Sequence, residues 1–225
     1  IADANLEDTA AAFLDSDSDG DLDLVVGSGG NIVQDKELYQ ARLYLNDGKG
    51  NFSKSEVKLP NLKTNISVIA PNDFDGDGDV DLFIGSRSVP GVFGVNPQHL
   101  LLMNNGKGIF SDVTERYAYE LKFAGMITDA KWLDIDNDNK MDLITVSEWG
   151  APLILRNSGK DLSKFNSSLD SLYGWWKVIE SSDIDNDGDQ DLILGNRGLN
   201  IPYVATKNNP IKLWINDLDE NRTIE

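Results

Sequence analysis

The sequence predicts an all-β fold, a β-propeller of four-stranded antiparallel blades with an acidic loop between the first and second strands of each blade. Three observations predict it. A nine-residue acidic frame occurs four times, as DSDSDGDLD at 15–23, DFDGDGDVD at 73–81, DIDNDNKMD at 134–142 and DIDNDGDQD at 183–191. An Asn/Gly-rich reversal between apolar runs follows three of those frames, in LYLNDGKGNF at 43–52, LLMNNGKGIF at 101–110 and LILRNSGKDLSKF at 153–165. No stretch shows the apolar period of a long amphipathic helix.

Each element has its own reason. Every frame is preceded by apolar or small residues, such as AAAFL at 10–14, and followed by an apolar run: LVVG, LFIG, LITV or LILG. These are the first and second strands. The frames begin at 15, 73, 134 and 183, so they are spaced by 58, 61 and 49 residues, too long for a solenoid turn and suited to a blade with one variable loop. The Asn-Gly reversal joins a third strand to a return strand opening with an aromatic. Stacking such sheets radially solves the edge-strand problem.

No Pro-, Gly- or Ser-rich tract divides the chain, so residues 1–225 form one domain, with blade-like repeats at about 5–60, 61–120, 121–170 and 171–225. About four blades are covered. Both ends of the chain fall close to acidic loops, and the expectation is part of a larger propeller, with an intact small ring as the alternative.

The frames also carry chemistry. Carboxylates at positions 1, 3, 5 and 9 can converge on one centre while position 7 lends a backbone carbonyl. That names Asp15, Asp17, Asp19, Asp21 and Asp23; Asp73, Asp75, Asp77, Asp79 and Asp81; Asp134, Asp136, Asp138, Lys140 and Asp142; and Asp183, Asp185, Asp187, Asp189 and Asp191. An all-oxygen set in a flexible loop selects a hard cation, and its donor number suits Ca²⁺ better than Mg²⁺. Position 6 is Gly20, Gly78, Asn139 or Gly188, the residues that tolerate a left-handed backbone. An EF-hand would need a Glu at position 12 and flanking helices, but Val26, Ile84, Thr145 and Leu194 stand there inside predicted strands. A candidate fifth loop, DLDENRTIE at 217–225, places Asp217, Asp219, Asn221 and Glu225 in phase. It falls where a fourth hairpin is expected, after a strand IKLWIN at 211–216.

Composition agrees. The formal net charge is −18, but sixteen carboxylates are proposed ligands, and four Ca²⁺ would leave about −10. With no basic patch, nucleic acid is not an expected partner. The chain has no Cys, hence no disulfide framework, and no transmembrane run. Loops of this kind in extracellular modules bind at roughly 10⁻⁴–10⁻³ M, which would leave them empty in cytosol, so a secreted or cell-surface setting is expected.

The D-x-D-x-D-G-x-x-D-L frames and the LYLNDGKGNF-type hairpins resemble the FG-GAP and VCBS repeats of integrin α-subunit propellers, cartilage acidic protein and many secreted bacterial proteins. SRSVPG at 86–91, SEWGAP at 147–152, GWW at 174–176 and GNRGLN at 195–200 resemble segments of large VCBS-repeat proteins of Bacteroidetes-type bacteria, often associated with an ASPIC/UnbV domain. The resemblance covers nearly all of 5–225 and implies a calcium-binding propeller outside the cytoplasm. The chain departs from it at Lys140, a position that lends only its carbonyl.

No catalytic machinery is expected. The single His, His99, stands at the entrance to a strand. No nucleophile elbow, Walker loop or dinucleotide fingerprint occurs, and nothing singles out an acid/base pair from Glu148, Glu180 and Asp129. Ligand contacts are sought instead on the long connections after each second strand. Arg87 and Arg197 hold equivalent places there and suit an acidic or sugar ligand; buttressing of a neighbouring blade is the competing reading. Trp149, Trp175 and Trp176 suit either a carbohydrate platform or blade-to-blade packing. The expected function is an interaction or structural module of the cell envelope with a protein partner, or alternatively a carbohydrate-binding or carbohydrate-processing propeller.

Overall fold

The computed structural model describes residues 3–30, 36–198, 202, 203, 206, 208–217, 219 and 220. Strands β1 (Asp8–Leu14), β2 (Asp23–Ser28), β3 (Ala41–Asn46) and β4 (Phe52–Lys54) form one antiparallel sheet in sequential order. β5 (Asn65–Asn72), β6 (Asp81–Ser88), β7 (Leu100–Met103) and β8 (Ser111–Asp112) repeat it, as do β9 (Met126–Leu133), β10 (Asp142–Gly150), β11 (Leu153–Asn157) and β12 (Leu162–Lys164). These are propeller blades. The return strand opens on an aromatic only at Phe52; Phe110 precedes β8, and in the third blade buried Leu162 opens the strand while Phe165 follows it.

The second strands of the second and third blades are buried on both faces because those sheets are sandwiched. Leu82, Ile84, Leu100 and Leu102, with Ile66, face the first blade and pack with Leu14, Val25 and Leu43. Phe83 and Leu101, one residue out of phase, face the third blade and meet Ile127, Leu143 and Leu155. The wedge between those two blades is filled by α1 (Thr114–Tyr117) and the 3-10 turn after it, through Ala118 and Leu121. Ile144, Val146 and Ile154 face onward to Ile179. The core thus lies between blades rather than within them.

A hydroxyl six residues before each of the first three frames ties a blade to the next. Thr9 Oγ1 donates to the Ile66 carbonyl (2.6 Å), Ser67 Oγ to Ile127 (2.6 Å) and Thr128 Oγ1 to Trp176 (3.1 Å). In the fourth blade Lys177 takes that place.

The fourth blade departs from expectation. Among the described residues it contains only β13 (Gly174–Ser182) and β14 (Asp191–Asn196), and β13 also pairs with the end of β10, so the third and fourth blades share a six-stranded sheet. The predicted strand at 211–216 does not form: residues 211–215 are irregular. Leu213 and Ile215 instead lie on Gly94, where a Cβ would come within 3.0 Å of both. That bare backbone offers an apolar contact in place of the ladder.

Candidate metal centres and the opposite loop face

The four frames fold alike. The position-1 carboxylate accepts the N–H of position 6 in every loop: Asp15 from Gly20 (3.0 Å), Asp73 from Gly78 (3.0 Å), Asp134 from Asn139 (2.8 Å) and Asp183 from Gly188 (3.1 Å). Position 6 has positive φ throughout, 91°, 94°, 65° and 98°, which explains Gly or Asn there. The position-5 carboxylate accepts the N–H of position 7 in each loop.

Position 9 has a second task. Asp23, Asp81 and Asp142 are buried, and one oxygen of each accepts the N–H of position 2, from Ser16, Phe74 or Ile135. The other oxygen accepts the N–H of the Asn that opens the hairpin, Asn46, Asn104 or Asn157 (2.7–2.8 Å). Those side chains reach further: Asn104 Nδ2 donates to the Ser16 carbonyl of the first blade and Asn157 Nδ2 to Phe74 of the second. These asparagines were not singled out as functional from sequence, although their recurrence at the end of the third strand was the available signal. The hairpin glycines have a matching reason, since a Cβ at Gly48 or Gly106 would collide with the carboxylate of Asp21 or Asp79.

Three carboxylates per loop bring oxygens within 4.8 Å of one another: Asp15, Asp17 and Asp19; Asp73, Asp75 and Asp81; Asp134, Asp136 and Asp142; Asp183, Asp185 and Asp191. So positions 1 and 3 converge everywhere, joined by position 5 in the first loop and position 9 in the others. One oxygen each of Asp15, Asp17, Asp136 and Asp183 is buried without a hydrogen-bond donor. Crowding is costly for the bare loops. Burial, with Asp19, Asp23 and Asp15 nearby, raises the Asp17 pKa; burial, with Asp77, raises that of Asp75; burial raises Asp142, and lifts Asp81 to about 7. An all-oxygen set with orphaned lone pairs fits a hard divalent cation. Asp217 and Asp219 join no such three-acid cluster among the described residues, and Asn221 and Glu225 lie outside them.

The third loop contains cations. Lys140 Nζ sits 2.8 Å from Asp138 Oδ2, and the Arg156 guanidinium pairs with Asp136 and lies 3.8 Å from Asp138. The Lys140 hydrogen bond holds the Asp138 pKa down. The departure at position 7 therefore matters beyond its carbonyl.

At the other end of the strands, Arg87, Glu148 and Arg197 occupy the same position of successive blades, fourteen residues after each first Asp. The Glu148 side chain is fully buried, and Oε1 accepts from Arg87 Nη2 (3.2 Å) and from Lys177 Nζ, linking three blades. Burial pushes its pKa up, but Lys177, the Trp175 indole and Arg87 outweigh that and hold it below the usual value. The indole favours the ion without hydrogen-bond alignment, since Glu148 Oε2 and Trp175 Nε1 are both without a partner. Trp175 lies 5.0 Å from Trp149, centroid to centroid, and Arg197 stacks on its ring at 4.8 Å. Trp149 has φ of 65°, a strained region for a bulky residue. It walls a cleft of about 390 Å³ whose lining includes Phe123, Tyr173, Asn96 and the Lys164–Asp170 pair. Trp176 is elsewhere, donating to the Leu172 carbonyl and packing on Ile144, Val146 and Ile179. Of the other acids, Glu180 pairs with Lys131, and Asp129 accepts the N–H of Ile179.

His99 is buried between blades. Its Nδ1 accepts from the Ser86 N–H (3.1 Å), its Nε2 faces the Gly125 carbonyl (3.0 Å), and burial lowers its pKa to about 4, which favours the neutral imidazole that braces the two blades.

The repeated acidic loop has a counterpart among known families. The pattern of the FG-GAP-like repeat matches residues 15–84 and 134–194. The chain belongs to the FG-GAP-like repeat family. No curated protein matches it. The FG-GAP match spans the acidic loops of all four blades with the second strands of the first and third and the opening residues of those of the second and fourth. No helix among the described residues is long and apolar enough to cross a membrane.

Proposed function

We propose that this FG-GAP repeat chain is an extracellular, calcium-stiffened β-propeller that acts as an interaction module of the cell surface or envelope. The observation that carries the reading is the repetition of one carboxylate cluster in four loops, three of them wired into the blade frame through position 9 and three of them, the first, third and fourth, holding an oxygen without a donor. Calcium would be held by the position-1 and position-3 aspartates with Asp19, Asp81, Asp142 or Asp191, and would supply the positive charge that these crowded carboxylates lack. The FG-GAP family and the extracellular affinity range of such loops favour a site outside the cytoplasm, and SRSVPG and SEWGAP favour kinship with large secreted VCBS-repeat proteins. The strand ends away from the metal loops then carry Arg87, Trp149, Trp175 and Arg197, where a protein partner meets the module. The reading is of a binding module, not an enzyme.

The test is calorimetric titration of Ca²⁺ into chelator-stripped protein, paired with photo-crosslinking from position 87 on intact cells. Calcium uptake with a cell-surface protein crosslinked only when calcium is present supports the reading; no uptake removes it. A second reading, saccharide binding, is favoured by the aromatic cleft beside Trp149. Glycan-array binding lost in Trp149→Ala, with crosslinking unchanged, would favour it.

A further inference from the structure

We infer that the third loop carries its own counter-cations, Lys140 and Arg156, and binds calcium much more weakly than the other three, so that the four acidic frames make three tight sites and one low-affinity site. The inference rests on the calcium reading above. Position 7 is Asp21, Asp79 or Asp189 in the first, second and fourth loops and Lys140 in the third. The residue before the bracing asparagine is Leu45 or Met103 in the first two blades and Arg156 in the third. Both departures place a cation on the same loop. Lys140 Nζ meets Asp138 at 2.8 Å, and Arg156 engages Asp136, one of the three converging carboxylates. Among the described residues, no Lys or Arg forms an ion pair with the other three loops.

The charge difference decides the sign. The other loops hold five acids each; the third holds four against two cations, a formal −2 against −5. A divalent ion entering it is repelled by both cations and must compete with Arg156 for Asp136, which keeps one oxygen without a donor. Two unit charges within a few ångströms, at an effective dielectric of about 20, are enough to weaken binding by roughly tenfold or more. The same pairs hold the loop in shape when calcium is scarce. The third blade, whose sheet is continuous with the fourth, is thereby the one least dependent on the ion.

Calorimetric titration of Ca²⁺ into the stripped chain tests this. Three tight events and a fourth at least tenfold weaker are expected. Asp138→Asn should erase only the weak event. Lys140→Asp with Arg156→Leu should move it into the tight class; both side chains are over 40% exposed, and circular dichroism checks that the variant folds. Four events of equal affinity in the natural sequence, or an unmoved weak event in the double variant, would overturn the inference while leaving the calcium reading intact. No binding at any loop would instead remove the calcium reading and this inference with it.

Discussion

The second and fourth blades start from nearly the same acidic frame yet end in different states. In the second, both faces of β6 are covered, and Leu82, Phe83 and Ile84 are at most 1% exposed. In the fourth, the equivalent Ile193 is 46% exposed, Val178 is 43% exposed, and no third strand pairs with β14 among the described residues. Both loops nevertheless keep the same internal hydrogen bonds. The difference teaches that the loop is a local structure set by nine residues, whereas the blade is completed by its neighbours.

The largest way to sharpen that comparison is to remove the metal. Chelation should lower the melting temperature of the whole chain by roughly 10 °C, since at millimolar calcium and the affinities expected for such loops each of several sites loses about 0.4–1.4 kcal/mol of linkage. Hydrogen exchange should show the loops at 15–23, 73–81 and 183–191 opening most. A melting curve indifferent to chelator would show that the frames hold shape by hydrogen bonds alone.

The next effect separates the blades directly. Ile144 and Ile193 occupy the same place in the third and fourth blades, at 0% and 46% exposure. Ile144→Ala should cost about 2–5 kcal/mol in urea unfolding, through lost burial and a cavity. Ile193→Ala should cost no more than about 1 kcal/mol. Equal losses would mean that the fourth sheet is covered as fully as the third.

His99 gives a pH-dependent version of the same contrast, since it braces the interface between the second and third blades. Its pKa falls from 6.5 unfolded to about 4 folded, so between those values the unfolded chain binds the extra proton. Stability should fall as pH drops through that window, by up to about 3 kcal/mol relative to pH 7. His99→Gln should remove that component, read as the difference between the two pH profiles. Parallel profiles would mean that His99 is not held neutral.

What could be read from sequence was local, and what could not was relational. The acidic frame announces its loop because ligand spacing is fixed within nine residues. The second strands announce themselves as uninterrupted apolar runs. Asn46, Asn104 and Asn157 were visible only as turn residues, because their bonds to position 9 and to the preceding blade span 15 to 88 residues. Glu148 was equally opaque: its sign opposes Arg87 at the same blade position, and only the juxtaposition of blades makes that a pair. The failed strand at 211–216 is apolar enough for a ladder but found Gly94 instead, a contact no periodicity encodes.

The smallest effect concerns the hydroxyl staples, present at the first three interfaces and replaced by Lys177 in the fourth blade. Ser67→Ala removes the bond to the Ile127 carbonyl and leaves that acceptor unpaired by Ser67, at a cost of about 1 kcal/mol. Lys177→Thr restores the hydroxyl where the fourth blade lacks it, but it also strips one of the two cations from buried Glu148. If the ion pair matters more than the staple, Lys177→Thr should destabilise by more than Ser67→Ala. If it costs less than Ser67→Ala, or stabilises, the ion pair to Glu148 returns less than a single staple does.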